Sequence, residues 1–221
     1  MSKEDKKFFS EVAEEVRRMF KPYPQLDEDI KKAIEMPIHI TPIDVALLAR
    51  KQDEWCVKCG ECCRHNTPIC MSASEAKTIA HFLRIPYKKF KKKYKLTPRG
   101  DGTFDMLGKP CPFLKGNSCS IYEVRPLVCR AFPAGGLIVD VINKERAVSL
   151  PRYCHVVKKF FILKIASEVA HMIVERKDPT FFEKVKASAG SAIPKFKTPQ
   201  EALELAFQLV DSFHKIEGES L

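Results

Sequence analysis

Apolar residues recur at helical spacing near the start of the chain. Over residues 3–20 they lie three or four positions apart with charged residues between them, which predicts an amphipathic helix. Pro22 ends this helix because proline cannot continue it. A short helix is predicted over residues 27–35. A third is predicted from Thr41, which stands as N-cap before Pro42.

The same periodicity returns in the last third of the chain. Residues 156–176 predict one long helix, Asp178-Pro179 begins another, and Thr198-Pro199 begins a last one. The helical pattern is interrupted between residues 55 and 154. The sequence therefore predicts a mainly α protein with helices on both sides of a less regular middle region.

The middle region carries shorter patterns. Ser72 and Glu75 have the spacing of a capping box and predict a helix. The lysines and interleaved rings of residues 87–95 could form a nucleic-acid surface, but the three rings lie at helical spacing, which favours a helix with its rings turned inward and its lysines in water. Residues 97–107 predict a hairpin around a Gly-Asp-Gly turn. A second short hairpin is predicted within residues 137–150.

Charge is concentrated in the same middle region. The chain has 221 residues and a formal net charge of +10. Residues 1–55 sum to −2, residues 56–130 to +10 and residues 131–221 to +2. This excess predicts a surface for nucleic acid, a membrane or an acidic partner, or it balances deprotonated thiols nearby. Both interpretations remain open at this point.

Nine cysteines dominate the candidate chemistry. We expect a cytoplasmic protein, because no apolar run is long enough to span a bilayer and no signal peptide is evident at the N-terminus. In a reducing compartment, clustered cysteines indicate a metal site rather than a disulfide framework.

The first cysteine cluster has the spacing C-x2-C-x2-C-C, from Cys56 to Cys63. Two residues between cysteines let two thiolates on one tight turn face a common centre, as in zinc knuckles and iron–sulfur loops. Gly60 suits a turn that needs positive φ or a close backbone approach. A second cysteine region begins about forty residues later, at Cys111-Pro112-Phe113-Leu114. It suggests a site that is closed by tertiary folding.

These motifs, with the following stretch from Cys119 to Pro133, resemble the CxxCxxCC family of zinc- or iron-chelating proteins, which includes YkgJ-type proteins. The resemblance covers Trp55 to Cys154. A flagellin lysine methylase shares this kind of domain within a longer chain, but no methyl-donor fingerprint is evident here. By matching position, the resemblance implies eight metal ligands: Cys56, Cys59, Cys62, Cys63, Cys111, Cys119, Cys129 and Cys154.

Two metals fit these ligands. The C-x2-C-x2-C triad with a remote fourth cysteine favours an iron–sulfur cluster, of the 4Fe-4S type. Alternatively, eight thiolates could hold two zinc ions, with Cys56 and Cys59 as one knuckle. Cys70 is interpreted as a small buried hydrophobe.

Four residues are predicted to surround the centre. Arg125 and Arg130 flank Cys129 and are candidates to hydrogen-bond cluster sulfur or an anionic substrate. They could instead neutralise thiolates and pair with Glu123 or Asp105. Tyr122 and Phe132 are expected to shield the centre from water.

The prediction is a single domain over 1–221, with N-terminal helices in 1–54, a cysteine-cluster core in 55–154 and C-terminal helices in 155–221. The helices would wrap around an irregular metal-binding core with one or two small β-hairpins. We expect an iron–sulfur protein in electron transfer or redox chemistry, with an unidentified redox or protein partner and no membrane. Nucleic acid is an alternative partner that the sequence does not favour. The alternatives are a zinc-stabilised interaction module with a basic surface, or a metal-dependent enzyme that modifies protein.

Overall fold

A computed structural model describes residues 2–36, 40–66, 68–135, 150–181, 184 and 201. By its internal contacts the chain divides into two compact units, one of Met1–Lys51 with Gly136–Leu221 and one of Gln52–Gly135. The prediction that the whole chain is a single domain stays a prediction.

The first unit is built from helices. They are α1 (Lys3–Met19), α2 (Leu26–Glu35), the start of α3 (Pro42–Trp55) and α8 (His155–Lys177). Helices α1 and α2 pack against each other and against α8. Most of the apolar residues that form the predicted inward face of α1 are buried, although Met19 is 53% exposed. Met19 is the last residue of α1 and lies beyond the turns that pack against other helices.

Local capping explains where these helices begin. Ser2 caps α1 by accepting a hydrogen bond from the Asp5 backbone, and the Asp5 carboxylate accepts from the Ser2 backbone in return. At α3, the Thr41 backbone donates to Asp44 at 2.8 Å, as the Thr-Pro start predicts. Such boxes satisfy backbone N–H groups that would otherwise lack a helical partner.

An ion pair between a buried carboxylate and an exposed arginine joins α2 to α8. The carboxylate of Asp29 is almost fully buried and accepts two hydrogen bonds from Arg176, both at 2.7 Å. Tyr23 donates a third at 2.7 Å. Burial alone would raise the pKa of Asp29, but hydrogen bonds from Arg176 and Tyr23 outweigh it and the pKa is lowered.

The second unit is made of short elements. In chain order they are α4 (Glu61–His65), β1 (Ile69–Ser72), α5 (Ala73–Phe82), α6 (Tyr87–Lys93), β2 (Thr97–Pro98), β3 (Thr103–Met106), β4 (Leu114–Lys115), β5 (Ser118–Cys119), a 3₁₀ turn (Tyr122–Val124) and α7 (Leu127–Arg130).

Two small antiparallel sheets connect these elements. The predicted hairpin is confirmed as β2 and β3, with Thr97 opposite Asp105. Strand β1 adds to the other side of β3, with Ile69 opposite Met106, and gives the order β1-β3-β2. Strands β4 and β5 form a second, separate hairpin. The capping box predicted at Ser72 and Glu75 is also confirmed and starts α5 directly after β1.

The core of the second unit lies between α5, α6 and the segment after Cys111. Phe90 of α6 is completely buried, and its ring stacks with that of Phe113 at a centroid distance of 6.4 Å. Tyr94 packs on the same ring at 4.7 Å. The prediction that the rings of 87–95 face inward is therefore confirmed. Cys63, Cys119 and Cys129 pack against this core, and Cys111 is part of it.

Within the described residues the protein is mainly helical, with small antiparallel strands, as the sequence predicts. The hairpin expected within residues 137–150, the end of the helix after Pro179 and the helix from Thr198 lie outside the described residues, apart from isolated positions. None of the described helices is long and apolar enough to cross a membrane.

Candidate metal centre

The first cysteine segment turns sharply between its second and third cysteines. Gly60 has φ of 78° and caps the short helix α4, which carries Cys62 and Cys63. A Cβ on Gly60 would lie 2.7 Å from the backbone oxygen of Asn117 in the β4–β5 turn. Both reasons that predict glycine here, positive φ and a close backbone approach, are therefore confirmed.

Helix α4 separates two neighbouring thiols. The helix continues past the two cysteines as far as His65. Adjacent residues of a helix point in directions about 100° apart. Cys63 is accordingly half-buried and packs on the core, whereas the Cys62 side chain is exposed.

A backbone hydrogen bond ties the two cysteine segments together. The N–H of Cys111 donates to the carbonyl of Cys63 at 2.7 Å. The chain then passes through β4, turns at Gly116 and returns along β5 to Cys119. Residues that are far apart in sequence are thus brought beside α4.

Arg64 strengthens this connection. Its guanidinium donates to the Cys59 carbonyl at 2.8 Å and to the Glu61 carboxylate at 2.6 Å. It also reaches the β4–β5 turn, where it donates to the side-chain oxygen of Asn117 at 2.5 Å. Arg64 therefore links the C-x2-C loop to the hairpin that carries Cys119.

The thiol of Cys63 lies at the centre of a group of four. Side-chain hydrogen bonding to Cys111, Cys119 and Cys62 raises its pKa far above the ordinary thiol value. The same contacts with Cys63 lower the pKa of Cys111, of Cys119 to about 7 and of Cys62 to about 6. A proton held at Cys63 favours thiolates at its neighbours, which is the state that metals bind.

Cys129 lies at the edge of this group. Burial raises the pKa of its thiol to about 12, and the charges of Cys111, Cys119 and Cys62 add to the effect. The cluster defined by Cys62, Cys63, Cys111 and Cys119, called here the four-thiol cluster, thus has a fifth thiol within electrostatic range.

The two arginines occupy different positions. Arg125 lies near the four-thiol cluster, and its charge contributes to lowering the pKa of Cys62 and Cys119. Its guanidinium stacks 3.6 Å from the centre of the Tyr122 ring and pairs with Asp53 at 3.2 Å, instead of with Glu123 or Asp105. Arg130 lies near Glu75. Burial raises the pKa of Glu75, but hydrogen bonds from Ser72 and Leu127 lower it, and the charge of Arg130 adds to this lowering. The roles predicted for both in cofactor binding stay predictions.

The remaining cysteines have other neighbours. Burial raises the pKa of Tyr122, and the nearby Cys56 thiol adds to the effect. Cys70 is half-buried on β1, where Arg99 contacts its thiol. Cys154 belongs to the first unit, where it immediately precedes α8. Phe132, expected to shield the centre, is half-buried.

Within the part of the chain that the structure describes, no three or more His, Cys, Asp or Glu side chains are arranged to hold a metal ion. Each of the other three thiols of the four-thiol cluster contacts Cys63. Their chemistry nevertheless fits a soft metal, since thiolates select zinc, copper(I) and iron–sulfur clusters. The assignment of the eight cysteines as ligands stays a prediction.

Sequence patterns did not indicate the long-range contacts of three residues that organise the site. Arg64 and Asn117 bridge the two segments across 53 positions. Glu75, beyond its capping role, accepts a hydrogen bond from the Leu127 backbone at 2.6 Å and so holds the start of α7, two residues before Cys129. The spacing of Glu75 from Ser72 gives a local signal, but neither of the two long-range contacts leaves one.

Comparison with known proteins gives a consistent result. A family model named CxxCxxCC and described as "Putative zinc- or iron-chelating domain" matches residues 55–155. The chain is similar to "Uncharacterized protein MJ0661" of Methanocaldococcus jannaschii, with 41% identity over 106 residues. That match covers 45% of this chain and 55% of the relative, so the chain spans about half the length of the relative it matches. No solved structure matches the chain.

The matched residues begin at Trp55, next to the first cysteine, and end at His155, next to the last. They include the whole four-thiol cluster and the two segments that Arg64 connects. Over residues 55–155 the chain therefore matches the model of the CxxCxxCC family, a zinc- or iron-chelating domain.

Proposed function

We propose that this domain holds an iron–sulfur cluster, of the 4Fe-4S type, and serves electron transfer or another redox reaction. The match to a zinc- or iron-chelating domain supports metal binding in general. The observation that carries the finer proposal is the four-thiol cluster, in which Cys62, Cys111 and Cys119 all contact Cys63. Four thiolates from two segments are the complement that such a cluster requires.

The burial of the four thiols supports an exchange of electrons with a partner. Cys111 is 7% exposed and lies in the core, while Cys62 faces solvent. A centre at this position has one protected side and one side that a partner can approach. Solvent exposure and nearby hydrogen bonds are also the features through which proteins set cluster potentials.

Arg125 supports the charge of such a centre. A four-iron core of charge +2 with four thiolates carries −2, and a zinc ion with four thiolates carries the same charge. A cation beside Cys62 and Cys119 stabilises either one. Arg125 is itself held by Asp53 and by the Tyr122 ring, so its charge has a fixed place near the thiols.

When bound, the cluster would supply a site that accepts and releases one electron. The residues of the chain would then have three tasks. Cys62, Cys63, Cys111 and Cys119 would hold the iron, Arg64 would keep the two segments at a fixed separation, and Phe113 and Ile121 would exclude water from the buried side. Deprotonation of Cys63 would accompany binding, because thiolates are the ligands.

Anaerobic purification followed by iron, zinc and acid-labile sulfide analysis tests the proposal. We expect iron and sulfide in equal amounts and a brown colour that dithionite bleaches. Cys111→Ser should lose both iron and colour, because it removes a buried thiol of the four-thiol cluster. Cys70→Ser is the matched control and should retain them, since Cys70 lies on β1 with Arg99. Colourless protein with stoichiometric zinc would refute the iron–sulfur proposal.

One observation favours zinc as the second candidate. The residues on both sides of Cys59 have positive φ, 53° at Lys58 and 78° at Gly60, and form the tight turn of a C-x2-C knuckle. Zinc would then stabilise a binding module that uses the basic surface. A third possibility, a metal-dependent enzyme acting on protein, rests on the family resemblance alone. For all three we propose a cytoplasmic location, where thiols stay reduced.

A further inference from the structure

The second unit carries a strongly cationic surface that the metal centre does not use. Residues 76–100 contain seven lysines and two arginines but no aspartate or glutamate. Helix α6 and the residue after its cap expose five of these lysines, Lys88, Lys89, Lys92, Lys93 and Lys95. These five residues are called here the lysine face.

The lysine face is not balanced by neighbouring acids. Among the described residues, none of its five lysines forms an ion pair. Lys77 on α5 and Lys91 lie over the ring of Tyr87, at 5.8 and 4.8 Å, which adds two further cations at the border of the face. A surface of one sign repels itself, whereas most protein surfaces mix both signs.

The stability of the helix does not explain these residues. Lys88 and Lys89 lie in the first turn of α6, where the helix dipole disfavours positive charge. Each also has a second lysine four residues later, Lys92 and Lys93, and like charges at this spacing destabilise a helix. The sequence therefore retains lysine where a neutral or acidic residue would give a more stable α6.

The backbone supports the same conclusion. Arg84 follows α5 with φ of 55°, and Lys95 follows α6 with φ of 49°. Both positions are the left-handed ends of helices, which glycine occupies with the least strain. At both, the chain has a long cationic side chain instead of glycine.

The residue composition of the lysine face indicates which class of molecule it can bind. Protein interfaces are depleted in lysine and depend on buried aromatic or apolar anchors. The lysine face has no such anchor, because Phe90 is buried and Tyr94 packs on Phe113. Binding of single strands requires aromatic rings that stack on unpaired bases, and the inward packing of these rings prevents such stacking. It also leaves α6 no apolar side to insert into a bilayer.

We propose that the lysine face binds the phosphate backbone of double-stranded nucleic acid without reading its sequence. Lysines act as mobile point charges toward phosphates, whereas base recognition favours the planar fork of arginine. This binding does not depend on which metal the four thiols hold. A failure of either proposal therefore leaves the other standing.

Fluorescence anisotropy with a short labelled duplex, from about 50 to 200 mM salt, tests the proposal on the full metal-loaded chain. Each lysine–phosphate contact contributes roughly −0.9 to the slope of log affinity against log salt. The double variant Lys88→Gln, Lys89→Gln should therefore make the slope shallower by about 1.8. The matched control, Lys6→Gln with Lys31→Gln, removes two exposed lysines of the first unit and should leave the slope unchanged.

Circular dichroism separates loss of binding from loss of structure. Because Lys88 and Lys89 repel the dipole of α6, the double variant should melt no earlier than the parent protein. An unchanged slope in the double variant would overturn the proposal. So would equal or tighter binding to single strands, to polyglutamate or to vesicles of anionic lipid, since each would identify a different partner.

Discussion

Replacing Gly60 by alanine should loosen the metal centre from within its first loop. Gly60 has φ of 78°, and a left-handed backbone costs a residue with a Cβ about 1–2 kcal/mol. The new methyl group would lie 2.7 Å from the Asn117 oxygen and 2.9 Å from Leu114. The oxygen belongs to the backbone, so the β4–β5 hairpin must move away from α4.

The magnitude follows from these two effects. Overpacking a well-filled site costs typically about 1–3 kcal/mol. Added to the backbone strain, this gives an expected loss of roughly 3 kcal/mol in the free energy of unfolding of the second unit. Because the hairpin carries Cys119, the variant should also hold metal more weakly.

Gly116→Ala is the matched control for this substitution. Gly116 also has positive φ, 58°, and lies in the same hairpin, but nothing lies within 4 Å of its added Cβ. It should therefore show the backbone strain alone, about 1–2 kcal/mol. The difference between the two variants isolates the contact between the C-x2-C loop and the hairpin.

Urea denaturation followed by tryptophan fluorescence measures both variants. The chain has one tryptophan, Trp55, which is buried and lies beside Cys56 in the second unit. Its emission therefore reports on the part of the protein that Gly60 affects. If Gly60→Ala were no more destabilising than Gly116→Ala, the close approach of loop and hairpin would not contribute to stability, and the reasoning would be wrong.

Three further predictions concern contacts described above. Arg64→Ala should lower the free energy of unfolding by roughly 1–2 kcal/mol and weaken metal retention in a chelator competition, whereas Asn117→Asp should preserve both because its carboxylate still accepts from Arg64. Glu75→Ala removes the cap of α5 and the hydrogen bond to Leu127, so urea denaturation should show a free energy of unfolding lower by about 1–2 kcal/mol. Ser72→Ala removes only the cap and should lower the free energy of unfolding by less. Because the pKa of Asp29 is lowered, its ionised carboxylate stabilises the fold above the unfolded value of 3.8, and this stabilisation is lost as the pH falls below that value. Thermal melts of Asp29→Asn should lack this acid-dependent loss. If the variant and the parent protein showed the same pH profile, the ion pair with Arg176 would not contribute to stability.

Local signals in the sequence predicted much of the second unit. Ser72 and Glu75 are three residues apart, so their capping box can be found without knowledge of the fold. The hairpin around residues 100–102 and the inward rings of 87–95 also depend on near neighbours. At Gly60, the cysteine spacing on both sides made a tight turn the simplest interpretation.

Contacts between distant segments could not be predicted in this way. Strand β1 pairs with β3 more than thirty positions later, and no local pattern at Ile69–Ser72 indicates that pairing. Arg64 finds Asn117 only after the chain has folded back through Cys111. The exposure of Cys62 beside a half-buried Cys63 followed from α4, a single helical turn too short to leave a periodic pattern.

The hydrogen bond between Cys111 and Cys63 bears on how quickly a metal site of this kind can assemble. It closes a loop of 48 residues, since 111 minus 63 is 48, and such closure costs a flexible chain about 3 kcal/mol in entropy. The hydrogen bond from Arg64 to Asn117 adds a second link between the two cysteine segments. Because thiols must lose their protons to bind metal, the rate of metal uptake should depend on pH.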